Sequence, residues 1–187
     1  MQKLITLDKQ LFTVINHQWS NGIFDSLMPF IRNQYTWFPL YLFLLVYGLV
    51  NFKKKAWWWI VFAICTAILT NIISSDFIKG NISRIRPCSD PSMAENLRFL
   101  VGYCPKSSSF TSSHATNHFG LAAFFYYTLR PYWGKWCWLF YAWAAIICYA
   151  QVYVGVHYPL DVAAGGLIGF IFGYLSAKSY NKNYSLV

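Results

Sequence analysis

Long apolar runs separated by short charged groups dominate this chain of 187 residues. Five runs approach the roughly 20 residues that a helix needs to cross a lipid bilayer. The first four contain no Asp, Glu, Lys or Arg, and Asp161 stands at the start of the fifth. The pattern predicts an all-α integral membrane protein with five transmembrane helices, over Tyr35–Phe52, Ala56–Ser75, Ser112–Leu129, Trp136–Val154 and Pro159–Ala177.

The first 33 residues follow a different pattern. Leu4, Leu7 and Leu11 recur at helical spacing, but Asp8 and Lys9 interrupt them. Such a segment is typical of an amphipathic helix lying in the membrane interface. A sixth, imperfect transmembrane span is the alternative, which its charged residues disfavour.

The composition agrees with a membrane protein. Hydrophobic residues make up 57% of the chain and charged residues 11%, whereas a soluble domain carries about 25% charged residues. The net charge is +9, but the basic residues lie in short groups between apolar runs. We therefore expect membrane lipids and no nucleic acid as partners, and a single domain over residues 1–187. The sequence does not indicate an oligomeric state.

Basic residues between the spans predict the orientation. Alternation of the five spans places three basic groups on one side, which the positive-inside rule assigns to the cytoplasm. The long loop of residues 76–111 and the short loop before the fifth span then face outward. The three basic groups comprise Lys53, Lys54, Lys55, Arg130, Lys135, Lys178 and Lys182.

Two cysteines, Cys88 and Cys104, lie in the predicted outer loop. An oxidising exterior favours a disulfide between them. Two free thiols in a reducing compartment are the alternative.

The first charged motif contains Lys79 and Arg86, followed by Pro87. A separation of seven residues places both cations on one face of a helix, which Pro87 would end. Arg offers a planar fork for two phosphate oxygens and Lys a mobile point charge. Arg84 either assists such a site or faces lipid head groups. The alternative for the whole motif is that these side chains only reach towards head groups.

The second motif is a run of hydroxyl residues before the third span. Ser112 and Ser113 are suited to cap a helix, and a helix N-terminus binds phosphate through its free N–H groups. His114 would stand in the first turn, where it can act as a general acid. His118 lies one turn further along the helix. The glutamate that accompanies such a histidine pair in metalloproteases is absent from this motif, so we expect no metal.

The third motif contains His157 and Asp161 around Pro159. Proline is favoured at the first position of a helix, which places Asp161 in the first turn and within reach of His157. A carboxylate on one ring nitrogen fixes the tautomer and leaves the other nitrogen free to attack. Taken alone, this could be a helix-capping Asp beside an unrelated His. Three such motifs on one membrane face instead predict a shared site for metal-free phosphoryl transfer.

The three motifs resemble those of the type 2 phosphatidic acid phosphatase superfamily, the membrane lipid phosphate phosphatases. The family pattern is KxxxxxxRP, PSGH and SRxxxxxHxxxD. The first motif matches in full from Lys79 to Pro87. The second reads Thr111-Ser112-Ser113-His114, with Thr for Pro and Ser for Gly. The third keeps His157 and Asp161, but Ala150-Gln151 replaces Ser-Arg.

This resemblance implies a role for each residue. His157 would be the nucleophile that becomes phosphohistidine, with Asp161 orienting it. His114 would protonate the leaving lipid oxygen and then activate water. No cofactor is implied. The phosphoryl oxygens would be held by Lys79, Arg86, Ser112, the N–H of Ser113 and, in place of the family arginine, Gln151, with Arg84 as an auxiliary cation.

Gln151 is the main departure from the family pattern, because it donates hydrogen bonds without a charge. Either Arg84 or another loop cation compensates, or phosphate is bound more weakly, or the protein only binds or carries lipid phosphates. The expected substrates are undecaprenyl diphosphate, phosphatidylglycerol phosphate, phosphatidic acid or lipid A phosphates. The expected location is a bacterial inner membrane, with the site facing the periplasm.

Overall fold

The computed structural model describes residues 2–186, and all regular secondary structure in that range is helical. Ile72–Ile78 is a π-helical stretch that continues α4 into the short α5. The α-helices are α1 Gln2–Thr13, α2 Gly22–Arg32, α3 Phe38–Phe52, α4 Lys54–Asn71, α5 Lys79–Asn81, α6 Ser113–Trp133, α7 Trp138–Tyr153 and α8 Pro159–Asn183.

Four helical stretches among the described residues are long and apolar enough to cross a membrane, so the chain is a multi-pass membrane protein. The third, Ser113–Tyr153, contains both α6 and α7, which are joined by a turn at Gly134 with φ +53°. The predicted all-α class is confirmed. The division of this third stretch into two spans remains a prediction.

Helix α6 forms the centre of the bundle and packs most closely against α8. A Cβ atom at Gly169 would collide with the carbonyl group of Thr116, and one at Gly173 with that of Gly120. Small residues at such positions allow two membrane helices to approach closely. On another side of α6, the indole N–H of Trp59 in α4 donates a hydrogen bond of 2.9 Å to Thr128.

The beginnings of α6 and α8 meet at one end of the bundle, together with the end of α7. The N–H of Ser112 donates to the carbonyl of Asp161 at 3.1 Å, and the N–H of Leu100 donates to the carbonyl of Val154 at 3.3 Å. The loop between α5 and α6 therefore packs over this end, as its position in the sequence predicted.

The N-terminal segment differs from the single interfacial helix that the sequence predicted. It contains the helices α1 and α2, and two of its polar side chains, Asp8 and Asn16, are buried, while Leu4, Leu7 and Leu11 are exposed. The amide of Asn16 donates to the carbonyl of Arg98 in the outer loop at 2.7 Å. Burial of polar groups requires such partners, which a pattern within the first 33 residues cannot reveal.

Cys88 and Cys104 are joined by a disulfide in the outer loop, with their Cα atoms 5.9 Å apart. Nearby, Asp90 accepts hydrogen bonds of 2.7 Å from Lys9 of α1 and from the Tyr158 hydroxyl. The loop is thus fixed to itself, to α1 and to the residue that follows His157.

We expect this disulfide to stabilise the protein by about 3 kcal/mol, because it constrains a loop of this size in the unfolded chain. Alkylation of the unreduced, denatured protein followed by mass spectrometry should leave Cys88 and Cys104 unmodified and label the free cysteines at positions 65, 137 and 148. Labelling of all five cysteines without reduction would contradict the pairing.

Candidate active site

The three predicted motifs converge at the end of the bundle that the outer loop covers. A cleft of about 330 Å³ opens there. Cations from the first motif and serines from the loop dominate its lining, which includes Lys79, Arg84, Arg86, Ser107 and Ser108.

Lys79 and Arg86 both reach the cleft, but not from one helical face as predicted. The helix ends at Asn81, and Arg86 has an extended backbone with φ −75° and ψ 153°. The residue before a proline disfavours the helical conformation. Pro87 therefore keeps Arg86 itself out of the helix, so that the helix ends before Arg86 and not after it. The predicted shared location therefore arises from a different backbone path.

The guanidinium group of Arg86 is buried and held by backbone and side-chain acceptors. Its Nε donates to the carbonyl of Ser107 at 2.9 Å, and one terminal nitrogen donates to the Ser108 carbonyl at 3.2 Å. The other terminal nitrogen donates to the Val156 carbonyl at 3.1 Å and lies 3.0 Å from Nε2 of His157. The group is thus positioned beside the His157 ring with little freedom to move.

His157 is 3% exposed, and its surroundings define the tautomer. Arginine can only donate hydrogen bonds, so the Nε2 facing Arg86 must carry the lone pair and Nδ1 the proton. That Nδ1 lies 3.7 Å from a carboxylate oxygen of Asp161. Burial lowers the pKa of His157 to about 4; the charges of Arg86 and Lys79 also lower it, and Asp161 opposes the change. At neutral pH the ring is therefore neutral.

Asp161 is completely buried and held on both carboxylate oxygens. One oxygen accepts hydrogen bonds from the Ser109 hydroxyl at 2.6 Å and from the N–H of Tyr158 at 2.9 Å, which caps α8. The other oxygen pairs with Arg84 at 2.5 Å. The carboxylate is therefore fixed behind His157. The contribution of Ser109 was not predicted, although it belongs to the hydroxyl-rich run.

Arg84 connects the site to the N-terminal helix. Its guanidinium pairs with Asp161 and with Asp8 of α1, and lies 4.5 Å above the Tyr158 ring. Asp8 also accepts a hydrogen bond of 2.9 Å from the N–H of Leu160 at the start of α8. The alternative that Arg84 faces lipid head groups is therefore wrong. Asp8 was not predicted as part of the site. The feature of the sequence that could have indicated it is a single carboxylate among leucine residues.

The N-terminus of α6 carries the second motif. Ser112 is the N-cap, and its hydroxyl accepts a hydrogen bond of 3.4 Å from the N–H of Ala115. The Ser113 hydroxyl contacts those of Ser74 and Ser75 at 3.1 and 3.0 Å. This N-terminus lies beside Asp161, because the two segments are hydrogen-bonded to each other.

His114 follows in the first turn and interacts electrostatically with Lys79, His157 and Arg32. Its carbonyl accepts a hydrogen bond of 2.8 Å from Nδ1 of His118. Within residues 2–186, no group of three or more His, Cys, Asp or Glu side chains is arranged to hold a metal ion.

Two further residues complete the surroundings. Gln151 is completely buried in α7, and neither its amide nitrogen nor its amide oxygen has a hydrogen-bond partner among the described residues. Arg32, at the end of α2, interacts electrostatically with Arg86 as well as with His114. Arg32 was not predicted, and no motif in the sequence marks it.

Comparison with known proteins extends these observations. Residues 56–185 match the PAP2 superfamily. The lipid A 4'-phosphatase of Porphyromonas gingivalis is 27% identical over 182 residues, covering 96% of this chain and 75% of the relative. The undecaprenyl-diphosphatase of Sulfolobus acidocaldarius is 29% identical over 178 residues, covering 93% and 79%. A transmembrane PAP2 type phosphatidylglycerolphosphate phosphatase from Bacillus subtilis shares the fold, with a TM-score of 0.73 over 98% of this chain and 89% of that chain at 19% identity.

Proposed function

The chain belongs to the PAP2 superfamily, and from this premise we propose that it hydrolyses a phosphate monoester or diphosphate on a membrane lipid through a phosphohistidine intermediate. The observation that carries the proposal is the position of His157. Its Nε2 lone pair lies 3.0 Å from the Arg86 guanidinium, and its Nδ1 faces Asp161. A nucleophile beside a phosphate-binding cation suits phosphoryl transfer.

In the first step, Nε2 of His157 attacks phosphorus and forms an N–P bond. The bond between phosphorus and the lipid oxygen breaks, and His114 donates a proton to that leaving oxygen. Asp161 stabilises the positive charge that develops on the His157 ring, because its carboxylate is fixed beside Nδ1.

In the second step, a water molecule attacks phosphorus on the phosphohistidine. His114 now accepts a proton from this water, the N–P bond breaks, and inorganic phosphate leaves. His114 thereby returns to its protonated form, and no metal ion or cofactor enters the proposed steps.

The phosphoryl oxygens are bound by groups that converge from three segments. Lys79 and Arg86 supply positive charge from the first motif. The start of α6 supplies the Ser112 hydroxyl and the N–H group of Ser113, together with the partial positive charge of a helix N-terminus. Gln151 supplies an amide donor without a charge. Such fixed donors stabilise the charge of a transition state without needing to reorganise.

We propose that the site faces the periplasm from a bacterial inner membrane, within one domain over residues 1–187. Lipid A phosphates and undecaprenyl diphosphate are the substrates to test first, because a lipid A 4'-phosphatase and an undecaprenyl-diphosphatase each match more than nine-tenths of the chain. The disulfide in the loop that covers the site supports the outward orientation, since disulfides persist in oxidising compartments.

The second candidate is a lipid-phosphate binding or carrier protein without turnover. The neutral Gln151 in place of the family arginine is the observation that favours it. The arrangement of His114 and His157 favours the enzyme, because binding alone needs neither a nucleophile nor a general acid.

We expect the detergent-solubilised protein to release inorganic phosphate from at least one lipid of a panel in the presence of EDTA. The panel contains lipid A, undecaprenyl diphosphate, phosphatidylglycerol phosphate and phosphatidic acid. Orthovanadate should inhibit the reaction, because it resembles the five-coordinate phosphorus of the transition state. Activity that disappears with EDTA and returns with a divalent ion would contradict the metal-free mechanism. Lipid binding without phosphate release would support the carrier.

A further inference from the structure

We propose that Arg32, at the end of α2, binds the phosphoryl group of the substrate and supplies the positive charge that Gln151 lacks. This inference rests on the proposed function, since it concerns the same site. It assigns the missing charge to a different segment of the chain, far from the third motif in sequence but beside the site in the fold.

Arg32 has no carboxylate counter-ion among the described residues, a property that it shares with Lys79 and Arg86 of the cleft. Lys9, Arg84 and Arg98 each pair with a carboxylate. None of the ion pairs within residues 2–186 includes Arg32, and its buried Nε atom has no hydrogen-bond partner there. A buried polar group without a partner is unusual and indicates that a ligand or water completes it.

The groups around Arg32 make an anion the suitable partner. Arg32 interacts electrostatically with Arg86 and His114, and the Tyr103 hydroxyl of the outer loop interacts with it. Burial lowers the pKa of Arg32, but an arginine stays charged in a protein. Two cations brought together with little solvent repel each other, and a phosphoryl dianion between them would remove that repulsion.

Arg84, the cation that the sequence offered as a substitute, is not available for this role. Its guanidinium already lies between Asp8 and Asp161, which balance its charge. The charge of the arginine in the family pattern must then come from another cation, and Arg32 interacts electrostatically with both His114 and Arg86.

The end of α2 is held firmly enough to present Arg32 to the site. Ile31 is buried in the core, and its carbonyl accepts a hydrogen bond of 2.8 Å from the Trp37 indole. Helix α2 packs against α7, the helix that contains the unpartnered Gln151. Arg32 and Gln151 therefore belong to helices that pack against each other.

The test measures orthovanadate binding by Arg32→Gln, Arg32→Lys and the double variant Arg32→Gln/Gln151→Arg. Binding is followed by the vanadate-induced rise in melting temperature in detergent, which requires no turnover. We expect Arg32→Gln to weaken vanadate binding at least about tenfold, through loss of a charged hydrogen bond. Arg32→Lys should weaken it less, and the added Gln151→Arg should restore most of the loss. Arg130→Gln, at an exposed arginine in the last turn of α6 and so at the end of that helix away from the site, is the matched control.

Vanadate binding by Arg32→Gln within twofold of wild type would overturn the proposal, as would no vanadate binding by the wild-type protein. If Arg32→Gln fails to fold, Arg32→Lys decides in its place, and unchanged binding by that folded variant would also count against the proposal. Kinetics with a lipid monophosphate and a lipid diphosphate locate the contact. Equal losses of activity on both substrates in Arg32→Gln support a contact to the transferred phosphoryl group. A loss of activity confined to the diphosphate would overturn the proposal. If the wild-type protein binds vanadate but releases phosphate from no lipid, the proposed enzymatic function is refuted. The vanadate measurements on the variants still test the role of Arg32 in that case.

Discussion

Replacing His157 with alanine is expected to abolish lipid phosphate hydrolysis while leaving the fold intact. The Nε2 atom of His157 lies 3.0 Å from the Arg86 guanidinium, so the change removes the proposed nucleophile from beside the phosphate-binding cation. His114→Ala should have a similarly large effect, because the lipid alkoxide is a poor leaving group without a proton donor. The double variant should be little worse than either single variant, since the two histidines act as one unit.

A substrate with a good leaving group separates the two roles. We expect p-nitrophenyl phosphate to restore part of the activity of His114→Ala, because its leaving group needs no proton, but none of that of His157→Ala. The exposed His17 provides a matched His→Ala control, which should behave as wild type. Substantial lipid hydrolysis by folded His157→Ala would show that the nucleophile is misassigned.

Replacing Arg84 with glutamine is expected to destabilise the protein by about 3–5 kcal/mol, because it leaves buried charges uncompensated. Asp8 and Asp161 have no side-chain exposure, and Arg84 is their shared partner. Arg84→Gln combined with Asp8→Asn should recover part of the loss, since one unpaired carboxylate is removed together with the cation. Unfolding in detergent with increasing denaturant measures the free energies for the cycle.

The pair of Arg98 and Asp25 provides the comparison for this cycle. This pair also links the loop between α5 and α6 to the N-terminal segment, but its side chains are 25% and 30% exposed. Arg98→Gln should therefore cost no more than about 1 kcal/mol. Equal decreases in the free energy of unfolding for Arg84→Gln and Arg98→Gln would show that the pairing of Arg84 with two buried carboxylates contributes no special stability.

The sequence by itself determined the features that depend on neighbouring residues. Continuous apolar runs identified the membrane helices, because a bilayer requires length and hydrophobicity that can be counted along the chain. Ser112 before an apolar run and Pro159 after a polar loop marked the starts of α6 and α8, since caps act within one turn. His114, His157 and Asp161 were predicted as site residues from the same local patterns.

The tertiary structure decided which distant groups share the site. Asp8 and Arg84 are separated by 76 residues, and Arg32 on another helix interacts electrostatically with His114; no local pattern encodes such pairings. The sequence also placed Lys79 and Arg86 on one helical face, whereas Pro87 extends the chain and the loop folds Arg86 back to His157. The physical reason is that buried charges and polar groups must find partners wherever the fold brings them. Their pairing is therefore a property of the packed bundle, and the spans and caps are properties of the sequence.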